Sequence, residues 1–166
     1  MTIGSANIRM QLNVVESTTA DLRTGSLETK VNKLLQLTDG SGASQVNKQY
    51  ADSVSVTQST NTDIDLSGAL SQAFGTVVFT GVKVLAVVAG ASNPGALTLF
   101  GGTNPFLGPL AGTTPTVSLG AGEAFLVTKT DATGWAVANG STDTFRVASA
   151  ATAGTYTYDI VILGIG

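Results

Sequence analysis

The chain has 166 residues, a formal net charge of −3 and a mean hydropathy of +0.29, and only 11% of its residues are charged. This length fits one domain with a real core, and the composition excludes disorder, which needs low hydrophobicity and high net charge. Soluble monomers usually carry about 25–35% charged residues on their surfaces. The shortage of charge therefore predicts that partners cover much of this surface. The alternative is a compact domain with a surface of Ser, Thr, Asn and Gly.

The residue types that are missing exclude several kinds of chemistry. There is no Cys, so no disulfide or thiolate metal site forms, and there is no His to act as general base or metal ligand. The eight basic residues are scattered, which predicts no specific nucleic-acid binding. No charged leader precedes an apolar stretch, and no apolar run approaches the ~20 residues that span a bilayer. We expect a protein without enzymatic activity, cofactor or membrane contact, assembled in a cytoplasm.

The N-terminal region contains two segments with a β-like pattern. Ile8, Met10, Leu12 and Val14 alternate with polar residues, which predicts a half-buried strand over residues 6–16 and a turn at 17–19. Residues 27–37 fit a helical stripe and a two-residue period almost equally well. Because the neighbouring chain is β-like, we favour an extended segment. Residues 1–36 are thus predicted to be an extended N-terminal arm or the first strands of the domain.

The Gly/Ser-rich loop at residues 38–44 separates this arm from the main body, residues 37–166. Short apolar and alternating runs predict strands throughout the body, and residues 67–74 fit one helical turn. The predicted strands lie at residues 51–57, 62–66, 77–79, 82–88, 96–100, 116–119, 124–129, 135–137, 144–147 and 156–163.

Eight to ten short strands with regular turn signals and no long helical crossover predict an all-β, antiparallel β-sandwich. We favour a jelly-roll-like topology. The rival is an immunoglobulin-like sandwich, whose Cys–Trp–Cys marker is impossible here.

Two carboxylates are the strongest candidates for chemistry. Asp63 and Asp65 lie two apart on a predicted strand, so both point to one face, where they could bind Ca²⁺ or act as acid and base. A solvated strand face is favoured because no further ligands are evident. Residues 38–42 resemble part of a calcium loop but lack its regular acidic ligands, which favours a connector.

Partner contacts are predicted at two apolar places. The aromatic residues, Phe74 among them, are assigned to the core by default. The exception is the Gly/Pro-rich loop with Phe106, Leu107 and Leu110, whose apolar tip is predicted to dock on a partner. The alternative is a loop that folds back to cap the sandwich. On the arm, the candidates are Ile8, Met10 and Leu12, which would contact a neighbouring subunit by strand addition.

Two stretches of the body carry a family resemblance. The first contains Gln45-Val46-Asn47-Lys48-Gln49-Tyr50-Ala51-Asp52 and continues to Gly75, and the second contains Thr130-Asp131-Ala132-Thr133-Gly134-Trp135-Ala136-Val137 and ends at Gly164. Over most of residues 37–166 the chain resembles small virion structural proteins of tailed bacteriophages, which include capsid cement or decoration proteins, some of them jelly rolls.

The resemblance implies a homo-oligomeric virion protein, assembled in the bacterial host cytoplasm. It would bind the major capsid protein at junctions between capsomers and resist internal DNA pressure. A tail, fibre or baseplate domain is the alternative, although repeats and coiled coil are not found in the sequence. A carbohydrate-binding sandwich is a further alternative, weakened by the presence of a single Trp and three Tyr.

Overall fold

A computed structural model of the chain describes residues 3–20, 23–110 and 115–166. Within these ranges the regular structure consists of strands, which confirms the predicted all-β class. No helix there is long and apolar enough to cross a membrane. The strands are β1 (Ala6–Ala20), β2 (Arg23–Asp39), β3 (Gln45–Val46), β4 (Lys48–Thr57), β5 (Asn61–Asp65), β6 (Leu70–Gln72), β7 (Gly75–Val77), β8 (Gly81–Ala89), β9 (Leu97–Leu99), β10 (Val117–Leu119), β11 (Ala124–Thr128), β12 (Trp135–Ala136), β13 (Thr144–Ser149) and β14 (Thr155–Ile165).

The body is a sandwich of two antiparallel sheets. One has the strand order β10-β9-β13-β5, and the other has the order β11-β8-β14-β4, with β12 beside β8. Both sheets contribute to one core, because alternate side chains of each strand point inward. Strand β14 shows the pattern most clearly: Tyr156, Tyr158, Ile160 and Ile162 are buried and the residues between them are exposed.

Aromatic side chains from the β10-β9-β13-β5 sheet and its connections fill the middle of this core. The ring of Phe100 meets the rings of Phe145 and Phe125 edge to face, at centroid distances of 5.0 Å and 5.8 Å. Edge-to-face pairs are favourable beyond the area they bury, because the positive ring edge meets the negative face. Phe145 is fully buried, so removal of its ring would leave a cavity in this core.

The N-terminal arm is a long hairpin. Strands β1 and β2 pair from Ala6 with Leu37 to Ala20 with Arg23. At ~3.4 Å per residue, β1 is about 50 Å long. The extended interpretation of residues 27–37 is confirmed, and β1 continues through the turn that was predicted at 17–19. The strand pairing also carries β2 to Asp39, past the predicted end of the arm at residue 36.

A second, smaller core joins the arm to the body. Leu37 from the arm and Ile3 before it are buried against Val46, Val84 and Leu163, with Ala6, Ile8 and Leu35 packed at its margin. The residues from β8 and β14 in this cluster lie on the outer face of their sheet. The arm is thus attached at its base to the outside of the sandwich.

The segment predicted to be one helical turn, residues 67–74, is instead a turn followed by the hairpin β6–β7. The Asp65 carboxylate accepts hydrogen bonds from the amides of Ser67 and Gly68, which satisfies them without a helix. Gly75 then takes a φ of 106°, which a side chain would disfavour, and closes the hairpin.

We expect the substitution Phe145→Ala to lower the free energy of unfolding by about 3–5 kcal/mol, the range for removal of a fully buried Phe ring. The matched control is Phe74→Ala, the same change at a side chain that is 85% exposed. Urea denaturation of both variants checks this. Equal losses in the two would contradict the placement of the core.

The ionisation of Tyr50 makes stability depend on alkaline pH. Burial, and then the Asp52 carboxylate that accepts a hydrogen bond from its hydroxyl at 3.2 Å, raise the pKa of Tyr50 to about 12. The unfolded phenol titrates near pH 10. The folded state therefore keeps a proton that the unfolded chain releases, and stability falls as the pH rises from about 10 to about 12. Denaturant unfolding of Tyr50→Phe across this window should give a smaller fall than wild type, and equal falls would refute the assignment.

Candidate functional site: the hairpin arm and its neck

The arm has one apolar and one polar face, because directly paired residues of an antiparallel hairpin point to the same side. We define the apolar face as the side that carries Met10, Leu12 and Val14 of β1 and Leu27 and Val31 of β2. At the base, Ile8 and Leu35 form the next row on the same side and pack against the small core. The apolar face is therefore one surface that is covered at the base and continues outward.

Beyond the base, nothing in the described part of the chain covers this face. Every residue from Arg9 to Thr18 and from Gly25 to Leu34 is exposed, including Leu12 at 57% and Leu27 at 64%. A two-stranded hairpin alone is marginally stable in water, and exposed contiguous apolar patches mark interaction sites. The arm thus presents an exposed apolar surface of the kind that marks interaction sites.

The polar face of the arm carries most of its charge. Arg9, Glu28 and Lys30 lie on that side together with Asn and Gln residues, and the Lys30 ammonium lies 2.8 Å from the Glu28 carboxylate. Two exposed apolar residues, Val15 and Leu34, also lie there. In the rows from Ile8–Leu35 to Thr18–Gly25, the apolar side has only two charged residues, Lys33 and Glu16. This division tells which side of the arm would be buried.

A buried lysine anchors the segment that connects the arm to the body, residues 38–47, which we call the neck. Lys83 of β8 is 0% exposed, and its Nζ donates to the carbonyl oxygens of Gly42 and Gln45 at 2.6 Å and 2.8 Å. These carbonyls belong to the loop that follows the arm. Burial lowers the pKa of Lys83, because the charged form loses its water, although Asp131 offsets part of this shift. The two carbonyls supply the polar contacts that the buried ammonium requires.

Two further contacts tighten the neck. The Asp39 carboxylate accepts a hydrogen bond from the Ile3 amide at 3.0 Å, which ties the start of β1 to the end of β2. The side-chain oxygen of Gln45 accepts from the Gly42 amide at 2.8 Å. The loop that sequence patterns identified as a connector is thus an ordered turn. Its one carboxylate, Asp39, binds a backbone amide.

Phe106 and Phe74 show the opposite burial to the one predicted from the sequence. Phe106 is 1% exposed and lies in the main core, and Leu110 packs against that core, while Leu107 is half-buried. In the described part of this loop, residues 106–110, the predicted exposed apolar tip is therefore wrong, and the placement fits the alternative, a loop that folds back to cap the sandwich. Phe74, assigned to the core by default, stands at the tip of the β6–β7 hairpin.

A groove of about 560 Å³ lies beside Phe74. Its walls come from the segment that leads into the arm, Ile3 to Ser5, and from Gln49, Gln72 and Ala73. A large exposed aromatic next to a concave surface is the kind of feature that anchors protein–protein interfaces. Of the predicted arm contacts, Met10 and Leu12 are exposed further out along the arm, and Ile8 is half-buried by the small core.

The paired carboxylates do not form a metal site. Asp63 makes a two-pronged ion pair with its cross-strand neighbour Arg146, both distances being 2.6 Å, and hydrogen bonding to Arg146 lowers the pKa of Asp63. Asp65 accepts from the turn that follows it. In the described ranges, no group of three His, Cys, Asp or Glu residues is placed to hold a metal ion.

No protein-family model matches this sequence, and neither the curated proteins nor the solved structures compared with it gave a match.

The neck generates a prediction for Lys83→Met. Loss of the ammonium leaves the Gln45 carbonyl without its donor, so the loop should open more often while the sandwich stays folded. Hydrogen exchange followed by mass spectrometry should show amides of residues 38–47 exchanging about tenfold faster, with β14 unchanged.

The control for this experiment is Lys129→Met. Lys129 donates to the carbonyl of Gly134 at 2.7 Å, in a loop whose Thr130 carbonyl accepts a hydrogen bond from the Ser44 amide. This variant therefore removes an ammonium–carbonyl contact beside the neck without removing a donor from the neck itself. If both variants accelerate exchange at residues 38–47 equally, Lys83 is not the specific anchor of the neck.

Proposed function

We propose that this chain is a virion structural protein that binds the major capsid protein as a cement or decoration protein and stabilises a phage head. The observation that carries the proposal is an arm about 50 Å long whose apolar face is left exposed by the described residues of the chain. Such an arm on a charge-poor, all-β body suits a protein whose surfaces are covered in an assembly. The resemblance of residues 37–166 to tailed-phage virion proteins supports the same assignment.

The body offers its own contact for the capsid shell. Phe74 projects beside the groove at the arm's base, so one side of the molecule carries an aromatic anchor. In this proposal Phe74 contacts the shell and the arm reaches along it. A cement protein needs both contacts, because it must bind the shell and also connect to the neighbouring subunits.

We further infer that the sandwich has jelly-roll connectivity. The eight principal strands, β4, β5, β8, β9, β10, β11, β13 and β14, read in order as 5-4-7-2 in one sheet and 6-3-8-1 in the other. Every connection between consecutive principal strands crosses from one sheet to the other, except the one from β9 to β10. Eight strands wound in this way make the double Greek key of a jelly roll, an architecture found in viral capsid proteins.

Purified particles test the proposal directly. Quantitative mass spectrometry should find the chain in many copies per head, and heads that lack it should lose their DNA at lower temperature. A few copies confined to purified tails would support a tail, fibre or baseplate role instead. Absence of the chain from particles would refute both the head role and the tail role.

We expect Phe74→Ala to weaken binding to chain-free heads by about tenfold or more, the effect of losing an interface anchor. Its control is Leu126→Ala, which truncates an exposed apolar side chain on β11. Because Phe74 is 85% and Leu126 39% exposed, neither change should lower the melting temperature by more than a few degrees. Co-sedimentation with heads measures the binding, and equal affinity of Phe74→Ala and wild type would contradict the role of Phe74.

A further inference from the structure

The two charges on the apolar side of the arm have opposite signs and lie at opposite ends of the exposed apolar stretch. Lys33 pairs with Met10 in the row nearest the base, and Glu16 pairs with Leu27 three rows further out. Six residues separate these rows along the strand, a distance of roughly 20 Å. Between them lie only the uncharged rows Leu12–Val31 and Val14–Thr29.

This spacing makes the face complementary to itself. Consider two arms laid face to face and running in opposite directions, related by a twofold axis that passes between the rows Leu12–Val31 and Val14–Thr29. The axis exchanges the two ends, so Lys33 of one arm lies opposite the row that contains Glu16 of the other, and the reverse holds at the far end. The uncharged rows meet each other in the middle. A twofold interface requires this kind of self-complementary pattern.

We propose that the apolar face of the arm is covered by the arm of a second copy, packed face to face and antiparallel, with Lys33 of each arm paired with Glu16 of the other. The proposal deepens the proposed function, because it names what the arm binds and leaves the shell contact to the body. It also replaces strand addition, which would extend the hairpin at its edge and leave the apolar face in water.

The charges also select the direction of packing. If the twofold axis instead ran along the strands, the two arms would be parallel and each row would face the same row of the other arm. Lys33 would then approach Lys33, and Glu16 would approach Glu16. Like charges that are partly removed from water repel, so this arrangement is disfavoured. Only the antiparallel arrangement buries the apolar rows and neutralises both charges.

The area that the two arms bury against each other sets the expected affinity of the dimer. The exposed stretch is roughly 30 Å long and 10 Å wide, which gives about 600 Å² for the two arms together. Stable complexes bury about 1,200–2,000 Å². The pair should therefore be weak for the free protein, with a dissociation constant of roughly 0.1–1 mM, and become effective where many copies are held on one surface.

The test uses the purified full chain in sedimentation equilibrium up to about 1 mM, where a weak dimer is measurable. Lys33→Glu and Glu16→Lys should each weaken dimerisation by about tenfold, since two attractive pairs per dimer become repulsive. The double variant Glu16→Lys with Lys33→Glu restores the pairing with reversed signs and should recover the wild-type constant. Far-ultraviolet circular dichroism verifies that each variant is folded.

The matched control is Arg9→Glu. It makes the same change of charge as Lys33→Glu but on the polar face, so it should leave the constant unchanged. The proposal is overturned if the chain stays monomeric, if Arg9→Glu weakens the dimer as much as Lys33→Glu does, or if the double variant fails to recover. Because particle binding is measured separately, a monomer that still decorates heads would refute arm pairing and leave the cement function standing.

Discussion

The position of the arm depends on the hydrogen bonds that the buried ammonium of Lys83 donates to Gly42 and Gln45. A buried cation is costly unless its donors are satisfied, so these carbonyls have to stay where β8 places the Nζ. The loop that carries them pairs with the end of β2 through β3. The direction in which the hairpin leaves the sandwich is thereby tied to the sheet. A neck built only from apolar contacts would constrain that direction less, because such contacts are not directional.

Because the neck is fixed, the apolar face of the arm has a defined direction relative to the sandwich. The same side of the hairpin is buried at Leu37 and solvent-exposed at Leu12. One continuous apolar surface therefore begins in the small core and continues outward along the arm, where it is open to a partner. Phe74 and its groove lie at the same base. These two exposed apolar features, on a chain with few charges, are the basis of the cement proposal.

Local patterns were enough to predict the all-β class and most of the strands, since period-two alternation depends on nearby residues alone. They missed β3 and β6 and placed a turn inside β1. The pairing register was not accessible. β1 pairs with the next strand, β2, in a register that places the apolar residues of β1 on the same face as Leu27 and Val31 of β2. Lys83 interrupts an apolar run, which is a visible signal, but its acceptors lie some forty residues away. Phe74 and Phe106 were interchanged because both flank Gly-rich turns, and only the tertiary fold shows which turn is covered.

An electron cryo-microscopy map of the intact particle tests the central claim, that the apolar face of the arm is covered in the assembly. The account predicts the chain on the head, with protein density over Leu12 and Val31 that traces to the arm of a second copy. It also predicts Phe74 against the shell. A map in which the arm is ordered and its apolar face meets only solvent would contradict the account.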